Sequence, residues 1–244
     1  MRNLPGFAWF LPIAALFHGQ VINVSAIARD SGTAQTTVSG YLEILEDTLL
    51  AFRLPAIEPR LRVRERKHPK LYWVDPGLVR AVKRQLGPVA AEEKGPLVEG
   101  WVLTLLRAYA EENELFDAIS YWSPAQSQGL EVDLLLRRGN EHLALEVKSS
   151  ARFSRSWLKG LRAVGELHGV VRRVIVYAGS ETLKTEEGVE VLASPGTALS
   201  TGAREVVAVI TSHRWSDDAG PLRSARRSRP SSRSRRSSTA APPG

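Results

Sequence analysis

The chain has 244 residues, 43% hydrophobic and 24% charged, which is the composition of a soluble globular protein with room for one large domain or two small ones. It has no cysteine, which excludes disulfides and thiolate metal sites and fits a reducing cytoplasm, and its five histidines show no metal-ligand spacing. The net charge of +7 is local: eight arginines against two aspartates in residues 212–244 leave the rest of the chain at +1.

The apolar run from Phe7 to Phe17 is too short to span a bilayer, and its length and Pro12 predict a core helix with no membrane partner. Asn23-Val24-Ser25 is a helix start, and Asp30-Ser31-Gly32 is a turn. A second helix over about 34–46 carries Val38, Tyr41, Leu42 and Leu45 on one stripe. This is helix-turn-helix organisation, in which Gln35, Thr36 and Thr37 present small polar groups to a nucleic-acid groove. The second helix has no Lys or Arg, which argues against tight base readout. A strand over 49–54 leads to a basic stretch in which Arg60, Arg62, Arg64 and Arg66 alternate at period two. In a strand those four share a face, either as a wing along a phosphate backbone or as an exposed hairpin paired with acidic neighbours. Lys70 to Trp73 reads as a strand ending in an Asp75-Pro76-Gly77 turn that starts the next helix, a segment taken here as structural.

Apolar spacing from Leu97 to Leu106 predicts a helix starting at Gly95-Pro96, and Glu99 lies on it. Ala118 to Trp122 is a strand. Two further apolar runs, 132–136 and 142–148, are separated by the turn signal Arg138-Gly139-Asn140 and predict a hairpin. That hairpin puts Asp133 beside Glu146, and Lys148 falls on the face of Glu146. Two adjacent carboxylates repel, and a protein that holds them together balances them with a cation. A helix is expected over 154–168, a buried strand over 170–178, and a last strand over 189–192. Arg223 to Gly244 is Arg/Ser/Pro-rich and too poor in apolar residues to fold; it is either a phosphate-gripping tail or an unselected extension.

The order of helix Glu99, strand Asp133 and strand Glu146-x-Lys148 resembles the PD-(D/E)xK nuclease superfamily. That resemblance implies Mg²⁺ on Asp133 and Glu146, with Glu99 and Lys148 in catalytic support. Ile27 to Leu45, Lys70 to Leu78, Gly95 to Glu99, Glu131-Val-Asp133 and Glu146-Val-Lys148 together resemble the domain of unknown function 4143 over roughly residues 7–193. The family implies a winged helix followed by a restriction-endonuclease-like α/β domain at the C-terminal end of prokaryotic P-loop ATPases. The expected organisation is therefore a winged-helix-like domain at 1–75, a nuclease-like mixed-sheet domain at 76–193, and a disordered basic tail at 194–244. The sequence has no Gly-x-x-x-x-Gly-Lys-[Ser/Thr] loop, so ATP has no site in these residues. Met1 stands roughly where the ATPase module would have ended, as in a truncated gene, a split subunit or a misplaced start. The expected function is a cytoplasmic, nucleic-acid-associated module with a Mg²⁺-dependent phosphodiesterase site and DNA or a P-loop ATPase subunit as partner. The alternative is a non-catalytic module that docks on such an ATPase.

Overall fold

The computed structural model describes residues 3–57, 68–113, 115–124, 129–193 and 210. The basic stretch at 60–66 and the tail beyond 193, Ile210 excepted, lie outside them. The chain is mixed α/β, with two sheets.

Helix α1 (Leu4–Leu16) starts at Asn3, whose side chain accepts from the Gly6 N–H, with Pro5 in the first turn. It buries Phe10, Ala14 and Ala15, so one face of the apolar run is core, while Trp9 and Leu16 are exposed. Strand β1 (Gln20–Val21) leads to α2 (Val24–Asp30), capped by Asn23. After a turn at Gly32, where φ is +61°, α3 (Gln35–Asp47) buries the predicted stripe of Val38, Tyr41, Leu42 and Leu45. Tyr41 receives the rings of Phe7 and Phe10 from α1. Strands β2 (Ala51–Leu54) and β3 (Lys70–Trp73) pair antiparallel, and β1 pairs with the other side of β3. The central position of β3 in this sheet matches its burial at all four residues.

Asp75 caps α4 (Pro76–Val82), its Oδ1 accepting from the Leu78 N–H at 2.9 Å, as the Asp-Pro-Gly turn implies. Helix α5 (Ala91–Asn113) begins four residues before the predicted Gly95 start and carries Pro96 inside it. Its acidic first turn, Glu92 and Glu93, suits the positive end of a helix dipole, and Lys83 pairs with Glu93 at 2.6 Å. Pro96 lies past the first turn of α5, so it removes the amide that would have bonded back to the Glu92 carbonyl.

The second sheet contains β4 (Ala118–Trp122), β5 (Val132–Arg138), β6 (Glu141–Lys148), β7 (Val170–Tyr177), β8 (Leu183–Lys184) and β9 (Glu190–Ala193), in the order β4-β5-β6-β7-β9-β8. The predicted hairpin is present: β5 and β6 are antiparallel from Leu134↔Leu145 to Arg138↔Glu141, turning at Gly139 with φ +57°. β6, β7 and β9 run parallel. The helix expected over 154–168 is shorter, a 3₁₀ turn (Arg155–Trp157) followed by α6 (Leu158–Val164).

Three layers result. One face of the large sheet packs its Leu134, Leu136, Leu143, Leu145 and Val174 against Val102, Leu103 and Leu106 of α5, and Phe52, Leu54 and Tyr72 of the small sheet join that same core. The other face packs Leu135, Ala144 and Ile175 under α6. The sheets also touch through backbone, with Tyr121 N–H donating to the Pro55 carbonyl and Ile57 N–H to that of Tyr121. His18 pins the seam: its Nδ1 accepts from Trp73 N–H and its Nε2 donates to the Pro96 carbonyl, both at 3.1 Å. Among the described residues no helix is long and apolar enough to cross a membrane.

Candidate carboxylate–amine site

The β5–β6 pairing carries Asp133 and Glu146 to the end of the hairpin opposite its turn, one step beyond the Leu134↔Leu145 pair. The β4–β5 register shifts between Ser120 and Trp122, opposite this end of β5, and the two carboxyls stand close enough for the Glu146 charge to act on Asp133. Both are buried, at 8% and 7% exposure, on strands whose other residues fill the core. Asp133 Oδ2 accepts from the Val147 N–H at 2.8 Å, which fixes its orientation. Lys148, two residues along β6, places its Nζ 2.5 Å from Glu146 Oε1. Glu146 Oε2 is buried without a hydrogen-bond partner. An orphaned buried carboxylate oxygen is costly, and it is the kind of atom that an absent cation or water would satisfy.

Glu99 reaches the same site from α5. Its Oε1 accepts from the Tyr72 hydroxyl and lies 3.1 Å from Lys70 Nζ. Lys70 Nζ also lies 2.5 Å from Glu131 Oε1 and 5.3 Å from the centre of the Tyr121 ring. Lys70 and Tyr72 share a face of β3 because they are two residues apart, and Glu131 and Asp133 are spaced in the same way.

Lys70, with its side chain only 4% exposed, is therefore a member of the site and not merely of the turn that follows it. The period-two pairs Lys70-x-Tyr72 and Glu131-x-Asp133 were the available signal. They are weak signals, because the contact joining them spans 61 residues of sequence.

The cluster holds Glu99, Glu131, Asp133 and Glu146 against Lys70 and Lys148, a formal charge of −2 in a largely dry setting. Burial raises the Asp133 carboxyl well above its usual range, and the charges of Glu99 and Glu146 add to the shift. Burial likewise raises Glu146, opposed by Lys148. Burial alone would lower both lysines, but Glu99, Asp133 and Glu131 outweigh it at Lys70, and Asp133 and Glu146 do so at Lys148. Both amines are thus held as ammonium ions. Tyr72 is raised by burial and by Glu99, so its hydroxyl stays a donor.

Among the described residues no three His, Asp or Glu side chains gather as ligands of one ion. Glu99 is turned toward Lys70 and Tyr72, which leaves Asp133 and the Glu146 Oε2 facing the unsatisfied charge. Two carboxylates with water and phosphate completing the shell are a common Mg²⁺ arrangement, so the oxygen-only donor set fits that ion.

The structure brings Glu99, Asp133, Glu146 and Lys148 together. Gln35, Thr36 and Thr37 lie elsewhere, at the exposed start of α3, where Ala34 supplies no side-chain cap. Arg60, Arg62, Arg64 and Arg66 fall outside the described residues.

Residues 94–196 match the family model of a domain of unknown function (DUF4143), and residues 1–88 match a different one (DUF8612). The resemblance expected over 7–193 is therefore divided: the 4143 family accounts for the large sheet and its helices, and another family for the N-terminal third. Uncharacterised proteins of Mycobacterium tuberculosis (strain H37Rv) and Mycobacterium bovis are each 31% identical over 177 residues. That match takes in 70% of this chain, which spans little over a third (37%) of either relative. A Vibrio cholerae protein of known crystal structure aligns with 85% of this chain and 52% of its own at 13% identity and a TM-score of 0.33, too slight a likeness to argue from.

Proposed function

We propose that this chain, which carries a domain of unknown function 4143 at residues 94–196, is a nucleic-acid-associated module with a Mg²⁺-dependent phosphodiesterase site on a nuclease-like sheet. The observation that supports this most is the buried pair Asp133 and Glu146, with Lys148 on one Glu146 oxygen and the other buried without a well-formed hydrogen bond. In this reading Asp133 and Glu146 would hold the ion, whose chemistry when bound would be to offset charge on a phosphoryl oxygen and lower the pKa of a bound water. Asp133 is kept in its ligating orientation by the Val147 N–H. Lys148, beside Glu146 on the same strand, is the group that would position or deprotonate the attacking water. Glu99 supports the site by holding Lys70 and Tyr72 on its flank.

The N-terminal third then acts as a winged helix, its α2–α3 pair offering Gln35, Thr36 and Thr37 and its basic stretch offering Arg60, Arg62, Arg64 and Arg66 to DNA phosphates. A P-loop ATPase is the proposed protein partner. The test is incubation of the chain with plasmid and single-stranded DNA in Mg²⁺ or Mn²⁺, beside Asp133→Ala and Lys148→Ala. Cleavage should fall by more than about 100-fold in each variant. Undiminished cutting by Asp133→Ala would remove the assignment.

A second reading is supported by the internal pairing of the site. Lys148 already faces Glu146, and Lys70 already faces Glu99 and Glu131, so the charges can serve as architecture in a non-catalytic docking module. Folded protein that cuts no DNA with either metal, yet co-purifies with an ATPase co-expressed with it, would favour this reading.

A further inference from the structure

We propose that Lys70 is a built-in cation standing where a second metal ion would otherwise sit, so that the site takes one divalent ion only, at Asp133 and Glu146. This inference deepens the metal-dependent reading above and rests on it.

The geometry divides the site into two corners. In one, the Lys70 Nζ lies 3.1 Å from Glu99 Oε1 and 2.5 Å from Glu131 Oε1, and the Tyr72 hydroxyl donates to that same Glu99 oxygen. An ion approaching Glu99 Oε1 must displace two donors, one of them a buried ammonium tethered to the middle strand of the small sheet. In the other corner, Asp133 takes the Val147 N–H, and Glu146 takes Lys148 Nζ on Oε1 with the Asp133 N–H close by, while its Oε2 is buried with no well-formed hydrogen bond. Charge leads to the same division. With Asp133 and Glu146 ionised on binding an ion, the four carboxylates and two ammonium ions sum to −2, which one divalent ion neutralises. A second ion would leave a buried excess of +2, an arrangement strongly disfavoured at low dielectric. Unlike a metal, a lysine cannot dissociate, so this corner keeps its charge at any metal concentration.

Lys70 belongs to the segment matched by one family model, and the carboxylates it serves belong to the other. The site is thus completed across the two segments.

The test counts Mn²⁺ ions bound per chain by titration calorimetry and by Mn²⁺ electron paramagnetic resonance on the whole protein, with the fold of each variant checked by circular dichroism. Wild type should bind one ion, with affinity falling at least about 10-fold in Asp133→Ala. Lys70→Gln should bind two, the second in the corner that the amine vacated. Lys70→Met, neutral and of similar length, should also bind two and tests the inference if Lys70→Gln does not fold, whereas Lys70→Arg keeps a cation there and should bind one. Two ions in wild type or in Lys70→Arg, or one in folded Lys70→Gln or Lys70→Met, would overturn the inference and leave the metal reading standing. No ion in wild type, or one indifferent to Asp133→Ala, would remove both.

Discussion

His18 illustrates how a single residue can set the acid limit of this fold. It is buried between Trp73 and Pro96, with one ring nitrogen accepting and the other donating, so only the neutral ring satisfies both neighbours. Burial is the largest cause of its lowered pKa, about 4 against an ordinary 6.5, with the Pro96 hydrogen bond opposing and Lys83 adding to the shift. Between those values the unfolded chain binds a proton that the folded chain refuses. The stability His18 contributes is therefore complete above pH 6.5 and is lost as the pH falls toward 4, by as much as about 3 kcal/mol. His18→Gln keeps an acceptor and a donor but cannot titrate. Its melting temperature should lie near or below that of wild type at pH 7.5 and should fall less between pH 7.5 and 5. Equal pH slopes in the two proteins would show that His18 is not the titrating group. Asp133 and Glu146 are raised and so act in the opposite sense, but they are common to both proteins and drop out of the comparison.

At the scale of elements, two helical glycines that look alike in sequence behave differently. A Cβ on Gly160 of α6 would lie 2.1 Å from the Glu131 carbonyl oxygen, whereas one on Gly40 of α3 would meet nothing within 4 Å. Gly160→Ala must therefore push α6 off the start of β5, beside the site, and should cost about 1–3 kcal/mol. Gly40→Ala should be neutral or stabilise by up to about 1 kcal/mol, because it removes only backbone freedom. Thermal melts of both variants test this, and a Gly160→Ala protein as stable as wild type would contradict the packing. The contrast marks where the sequence stops being readable. The β5–β6 hairpin was legible because two apolar runs flank Arg138-Gly139-Asn140, and α3 because its buried stripe has helical period. Asp133, Glu146 and Lys148 followed from local spacing on the hairpin, and Glu99 from the resemblance to the PD-(D/E)xK superfamily. Lys70 was missed as a site residue because its partners are long-range, and no local period announces that β3 faces α5 and the start of β5. The early start of α5 was missed because Gly95-Pro96 signals a helix start, while the acidic turn before it also begins one.

On the scale of the whole molecule, the two segments recognised by separate family models each have a cluster of their own and share a third. Phe52, Leu54 and Tyr72 from the first segment sit in one apolar cluster with Val102, Leu103 and Leu106 of α5 and with β5, β6 and β7 from the second. Without residues 1–88, α5 would expose part of its buried stripe, and Glu99 would lose both Lys70 and Tyr72. Burying a large apolar side chain is worth roughly 1.5–3 kcal/mol, so removing three that pack on α5 forfeits a large share of the 5–15 kcal/mol that holds a typical domain together. Residues 94–196 produced alone should thus melt at least about 10 °C below the full chain, or bind a hydrophobic dye at room temperature without melting cooperatively. Adding residues 1–88 as a separate chain should restore a single cooperative transition, because the contacts between the two segments need no covalent link. If the fragment melts alone at the temperature of the full chain, the shared core contributes little and the two segments are independent domains that merely touch. In that case Lys70 would meet Glu99 across a surface that can open, and any chemistry at the carboxylates would have to proceed with Lys70 absent for part of the time.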